Sequence, residues 1–136
     1  MQVKDVMSTN VITVRQDDTA QTAATLMREH NIGAVPVVSG NSVCGMLTDR
    51  DIVLRCVAPG KSPADCRVGE VMTGCAACVT PNQSVSDAIS LMSSEQVRRL
   101  PVLENGALKG IVSLADVARI RKSPEIANAL SEISMP

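Results

Sequence analysis

The sequence predicts an α/β fold built from two copies of one unit, each running strand, helix, strand, strand, helix. Three observations carry the prediction. The first is a repeat: an offset of 65 residues, that from Met7 to Met72, aligns the two halves without a gap. Val3, Val6, Met7, Val14, Ala23, Leu26, Met27, Pro36, Val37, Gly45 and Asp51 then meet identical residues. The second is a motif, Gly-x-x-Thr/Ser-x-x-Asp, present as Gly45 to Asp51 and again as Gly110 to Asp116. The third is a proline at one register in both copies, Pro36 and Pro101, each followed by valine. Two repeats are too few for a solenoid, so the expected architecture is two copies packed through their sheets about a pseudo-twofold axis.

Within the first copy, Val11 to Val14 reads as a short strand. Asp17, Asp18 and Thr19 offer N-caps, and Ala20, Ala23, Ala24 and Met27 recur at helical spacing until His30, Asn31 and Gly33 close the segment. Ala34 to Val38 and Val43 to Leu47 form a hairpin around a tight turn at Gly40-Asn41, and Thr48 opens a helix running to about Val57. The second copy repeats this as Cys78 to Thr80, Ser84 to Gln96, Leu100 to Leu103, Asn105-Gly106, Leu108 to Val112 and Ser113 to Ile120. Proline inside a strand calls for an edge or a bulge. The expected layout is repeat 1 at residues 3–58, a linker at 59–67, repeat 2 at 68–121 and a helical tail at 122–136. A short helix is expected over Ala64 to Met72. In the tail, Arg119, Arg121 and Lys122 form a basic cluster at a helix C-terminus, and Ile126, Leu130 and Ile133 fall on one stripe.

Composition narrows the function classes. The chain of 136 residues is 45% hydrophobic but has no Phe, Tyr or Trp, so its core is aliphatic and no ring can stack on a planar ligand. Thirteen Lys and Arg against 14 Asp and Glu leave no basic field, which disfavours nucleic acid as a partner. No apolar run of membrane-spanning length and no charged-then-apolar leader is visible, so the expected setting is the cytoplasm, without a membrane partner. Five cysteines at irregular spacing do not read as a disulfide framework. Cys75-Ala76-Ala77-Cys78 invites a metal or redox reading, but two residues three apart on an extended chain face opposite ways, and His30 is the only histidine. No metal site is expected, small buried apolar residues are the default for the cysteines, and a thiol redox sensor stays open as an alternative. With no triad and no phosphate-cradling Gly-rich loop, an enzyme is not expected.

The two motifs carry the candidate chemistry. The glycine ends a turn, the next two residues are apolar strand, and the hydroxyl of Thr48 or Ser113 stands where an N-cap would start a helix. Such an N-terminus suits an anion. The aspartate one turn on, Asp51 or Asp116, can accept hydrogen bonds from a vicinal diol. Hydroxyl and acid at this spacing suggest phosphate and ribose. The plainer reading stands beside it: an N-cap hydroxyl and a first-turn acid favoured by the helix dipole.

On the two motifs, on His30 to Val37 and on Val97 to Val102, residues 3 to 120 resemble a pair of CBS domains, the two-copy unit called a Bateman module. The chain is most similar to the small stand-alone bacterial members. The resemblance implies regulatory binding of adenosine-containing ligands (AMP, ADP, ATP or S-adenosylmethionine) in clefts between the repeats, with no required cofactor. Carried over by position, the first cleft takes Thr9, Ile12, Ile32 and Gly33 around the base, Arg98 and Arg99 for phosphate charge, and Ser113 and Asp116 for phosphate and ribose. The second takes Thr48 and Asp51, with Thr73, Ala77, Val97 and Arg98 around the base. Where the second copy has Arg98 and Arg99 the first has Gly33 and Ala34, so a phosphorylated ligand is expected to prefer the Asp116 cleft. A homodimer and a still unknown protein partner complete the implied picture. The alternative is an interaction protein on the same scaffold that binds no nucleotide.

Overall fold

The computed structural model describes residues 1–74 and 77–120 together with Asn128, Ala129, Glu132 and Ile133. Cys75, Ala76 and most of the tail, including Arg121, Lys122, Ile126 and Leu130 of the expected basic cluster and apolar stripe, lie outside the described residues. The chain divides into two compact α/β units, Ile12–Cys75 and Met1–Val11 with Ala76–Pro136.

The first of these units contains β1 (Val14–Arg15), α1 (Ala20–His30), β2 (Ala34–Ser39), β3 (Ser42–Thr48), α2 (Asp49–Ile52) with a π-helical turn over Val53–Val57, α3 (Val68–Val71) and β4 (Thr73–Gly74). Its sheet has the order β1-β2-β3-β4. Thr19 caps α1 by accepting from the Thr22 N–H, and Asn31 ends it in the left-handed region at φ 53°, a conformation Asn tolerates. The hairpin turns at Gly40-Asn41 with a bulge at Val37/Val38. Pro36 lies on an inner strand rather than an edge, one residue before the Val37/Val38 bulge, so of the two expected settings the strand shows the bulge. The proline is tolerated because the parallel pairing with β1 begins only at Val37, so no ladder donor is needed there. The expected helix over Ala64 to Met72 is two pieces, a 3-10 turn at Pro63–Asp65 and α3, separated by extended Cys66 and Arg67.

The second unit contains α4 (Val85–Glu95), β5 (Arg99–Glu104), β6 (Ala107–Ser113) and α5 (Leu114–Ile120). Ser84 caps α4, and Gln96 closes it at φ 56°. Asn105 and Gly106 both have positive φ in the hairpin turn, as a two-residue connection requires. The expected strand at Cys78 to Thr80 is reduced to one parallel bridge, Val79 to Val102.

The packing unit is offset from the sequence repeat. Val3 and Lys4, at the start of the first copy, donate to the Gln83 and Pro81 carbonyls at 2.9 and 3.0 Å, and Val85 donates to the Met1 carbonyl at 3.0 Å. Val68 and Gly69, at the start of the second copy, donate to the Asp18 and Gln16 carbonyls at 2.8 and 2.9 Å, and Ala20 donates to the Cys66 carbonyl at 2.8 Å. Each opening segment is thus bonded to the other copy's helix. The cores follow. Val3 and Val6 are buried with Val79, Val85, Met92, Leu100 and Val112, whereas Val68 and Val71 are buried with Val14, Ala23, Met27, Val37 and Leu47. Both cores are aliphatic, and among the described residues no polar or charged residue is buried.

Candidate functional site

In the Ile12–Cys75 unit, β3 ends at Thr48, which caps α2. Its Oγ1 accepts from the Asp51 N–H at 3.1 Å, and the Thr48 N–H donates to Asp51 Oδ2 at 3.0 Å. This reciprocal arrangement is a capping box. Thr73 reaches the same carboxylate from β4, its Oγ1 donating to Asp51 Oδ1 at 3.4 Å. The sequence places Thr73 in the expected site without its partner, and the structure supplies Asp51. Asp49 donates its N–H to the Gly33 carbonyl at 3.0 Å. Its carboxylate also covers that glycine: a Cβ at Gly33 would stand 3.2 Å from Asp49 Oδ2. Ile12 and Ile32 are half-buried against the core of this unit.

The other unit repeats the frame with different charges. Ser113 Oγ accepts from the Asp116 N–H at 3.1 Å. Leu114, buried, stands where Asp49 stands and donates its N–H to the Arg98 carbonyl at 2.8 Å. Arg99 is the register partner of Ser113 across the β5–β6 hairpin, as Ala34 is of Thr48. The backbone therefore runs past the motif with two arginines, Arg98 and Arg99, in one unit, and with Gly33 and Ala34 beside an acid in the other. Asp116 also has a partner that the sequence reading left in a basic cluster: Arg119 Nη1 approaches its Oδ1 to 3.1 Å, from a side chain 76% exposed.

The expected site residues are divided between the units. Thr9, Ala77, Val97, Arg98, Arg99, Ser113 and Asp116 belong to one, and Ile12, Ile32, Gly33, Thr48, Asp51 and Thr73 to the other. Thr9 follows Ser8, which exchanges backbone hydrogen bonds with Ile111 at 2.8 and 2.9 Å. Ser8 holds the place beside Ile111 that Thr73 holds beside Met46. Sequence reasoning missed Ser8, although the 65-residue offset already pairs it with Thr73. Asp49 and Arg119 were equally legible, as the residue after one motif hydroxyl and the residue three beyond the other motif acid. Ala77 is half-buried against its core and Val97 is exposed at the surface.

A family model described as CBS domain matches residues 3–57 and again 68–123. The chain belongs to the CBS domain family. As a CBS pair it is 47% identical over 133 residues to the CBS domain-containing protein YhcV of Bacillus subtilis, covering 97% of this chain and 94% of that one. Hypoxic response protein 1 of Mycobacterium tuberculosis is 37% identical, with 98% of this chain and 94% of that protein covered. A crystal structure of Hypoxic Response Protein I with two coordinated zinc ions superposes with a TM-score of 0.82 at 38% identity, over 90% of this chain and all of that one. The CBS domain pair of protein MJ0100, in complex with 5-methylthioadenosine and S-adenosyl-L-methionine, superposes with a TM-score of 0.79 at 26% identity, over 88% and 94% of the two chains. The expected family, and an α/β fold of two tandem CBS repeats, are therefore established. Among the described residues no three His, Cys, Asp or Glu side chains gather as metal ligands would. No helix among them is long and apolar enough to cross a membrane.

Proposed function

We propose that this CBS pair is a non-catalytic regulatory module of the cytoplasm that senses adenosine nucleotides of the AMP, ADP and ATP class at the Ser113 to Asp116 motif. In this reading Asp116 accepts hydrogen bonds from the ribose diol, the Ser113 hydroxyl donates to phosphate, and Arg98 and Arg99 balance the phosphate charge. One observation supports it: Leu114 donates to the Arg98 carbonyl and Arg99 pairs in register with Ser113, so the backbone of both arginines runs beside the motif. The adenosyl ligands bound by the MJ0100 pair, the same fold, support the ligand class. The Thr48 to Asp51 motif differs in kind. With Asp49 over Gly33 and no arginine at the equivalent position, it presents negative charge, which suits an uncharged or cationic adenosyl group such as that of S-adenosylmethionine.

In this reading ligand occupancy is read out by self-association or by a protein partner. Val53, Leu54 and Val57, each at least half exposed on the π-helical turn, supply an apolar face for a second copy in a homodimer.

A second reading, an interaction module that binds no nucleotide, is favoured by one observation at the first motif. Both oxygens of Asp51 already accept hydrogen bonds from within the unit, from Thr48 and Thr73. Thermal-shift measurements with AMP, ADP, ATP and S-adenosylmethionine separate the two readings. At about a hundred times the dissociation constant, a specific ligand adds roughly 2.7 kcal/mol of stability. A flat response across the four ligands rejects the sensing role.

A further inference from the structure

The two hairpin turns occupy the same place in the repeat with their residues reversed. The 65-residue offset sets Gly40 against Asn105 and Asn41 against Gly106, so one turn reads Gly-Asn and the other Asn-Gly. In the second turn Asn105 has φ 53° and Gly106 φ 82°, and Glu104 pairs with Ala107 to close it. Two central residues at positive φ make this a type I′ turn. Glu104, Asn105 and Gly106 are exposed, and a Cβ at Gly106 would meet nothing within 4 Å. Of the six asparagines, Asn105 is the one followed by glycine. The others precede residues whose side chain shields the next backbone nitrogen, as Ser42 does after Asn41 and Ile32 after Asn31. The Ile32 nitrogen is also engaged, donating to the Met27 carbonyl at 3.0 Å.

We propose that Asn105 is a site of spontaneous covalent modification, deamidated through attack of the Gly106 backbone nitrogen on its side chain. That nitrogen gives up its proton to a solvent base and bonds to Cγ of Asn105. The Cγ–Nδ2 bond breaks, Nδ2 takes up a proton and leaves as ammonia, and a cyclic imide remains. Water then adds to one of the two imide carbonyls. Opening at Cγ leaves aspartate, whereas opening at the main-chain carbonyl leaves an isoaspartyl link, in which the chain runs through the former side chain. The balance is amide plus water to acid plus ammonia, with no change of oxidation state.

The turn sets the pace of this reaction. In a type I′ turn ψ of the first central residue is about +30°, which carries the next nitrogen to the far side of the Cα–C bond from Cβ. Attack on Cγ needs both on the same side, so the turn opens first. The two products differ in fit. Aspartate before glycine suits the same turn and only adds a charge beside Glu104. The isoaspartyl link lengthens the backbone of a two-residue connection by a methylene, and that connection fixes the register that sets Arg99 opposite Ser113.

The test is ageing of the folded wild-type chain in mildly alkaline buffer at physiological temperature, with tryptic mapping of samples taken over time. Cleavage after Arg99 and Lys109 leaves Asn105 as the only asparagine of peptide 100–109, and cleavage after Arg28 and Arg50 puts Asn31 and Asn41 in peptide 29–50. Peptide 100–109 is expected to gain the mass difference between an amide and an acid, ahead of peptide 29–50, and to accept methyl groups from an isoaspartyl methyltransferase. The chain unfolded in urea should convert faster at the same site. Asn105→Gly, which keeps a favoured turn pair, should lose the methyl labelling. Aged protein rich in the isoaspartyl link should melt several degrees below Asn105→Asp. Equal conversion of the two peptides, conversion confined to the unfolded chain, or labelling that survives in Asn105→Gly overturns the proposal. Equal rates in the folded and unfolded chains overturn the control by the turn, and equal melting of the aged protein and Asn105→Asp overturns the effect on the hairpin.

Discussion

Arg119 Nη1 stands 3.1 Å from Oδ1 of Asp116, so the carboxylate proposed to receive a ribose diol already has a cationic partner one turn along its own helix. The pair is cheap to break. Arg119 is 76% exposed and Asp116 29%, and solvent-screened ion pairs of this kind contribute about 0.2 to 1 kcal/mol. Arg119→Ala should therefore leave the melting temperature within a degree or two. It should tighten binding of uncharged adenosine by up to about fivefold, because the diol no longer competes with a guanidinium. Calorimetric titration of the variant with adenosine checks this, and a weaker affinity would assign Arg119 to the ligand instead.

The motif glycines are held by close approach of another segment. A Cβ on Gly45 would lie 2.6 Å from the Thr73 carbonyl oxygen and 2.9 Å from Met72 Sδ, and one on Gly110 would lie 2.6 Å from the Ser8 carbonyl oxygen. A backbone oxygen cannot step aside as a side chain can, so Gly45→Ala and Gly110→Ala should each cost roughly 1 to 3 kcal/mol. Gly74→Ala, with nothing within 4 Å of the new methyl, should stay within about 0.5 kcal/mol. Urea denaturation of the three variants compares them directly.

Cys66 sets an expectation for alkaline stability. Burial, followed by the hydrogen bond and charge of Cys56, raises its pKa above 9.0. The folded state therefore retains a proton that the unfolded state releases. The contribution is fully present below pH 9.0 and is lost as pH rises through the folded value. In reductant, wild-type stability should fall above pH 9, and Cys66→Ala should show a shallower fall over the same range. Urea midpoints at a series of alkaline pH values give the two slopes.

Much of the fold was legible because the repeat constrains it twice. The turn at Asn105-Gly106, the caps at Thr19 and Ser84, and the helices opened by Thr48 and Ser113 all lie where local chemistry puts them. The exchange of opening segments was not legible. Val3 and Val6 have the spacing of Val68 and Val71, and nothing local says which copy's helix each will meet. Cys78 to Thr80 looks like a strand by residue type but makes one bridge, since strand length depends on a partner's reach. At the candidate site the motif hydroxyls and acids were legible from spacing. The covering of Gly33 by Asp49 and the pairing of Asp51 with Thr73 arise from contacts between segments distant in sequence.

The inequality of the two motifs is tested most directly by titrating AMP into the wild-type chain, Asp116→Ala and Asp51→Ala at low ionic strength. Charge-assisted phosphate contacts of roughly 1.5 to 3 kcal/mol each separate the sites by tenfold or more. The expected result is at least a tenfold loss of affinity in Asp116→Ala, with Asp51→Ala within about twofold of wild type. Loss of AMP binding in Asp51→Ala with Asp116→Ala unaffected would contradict the assignment of the phosphate to the arginine-flanked motif.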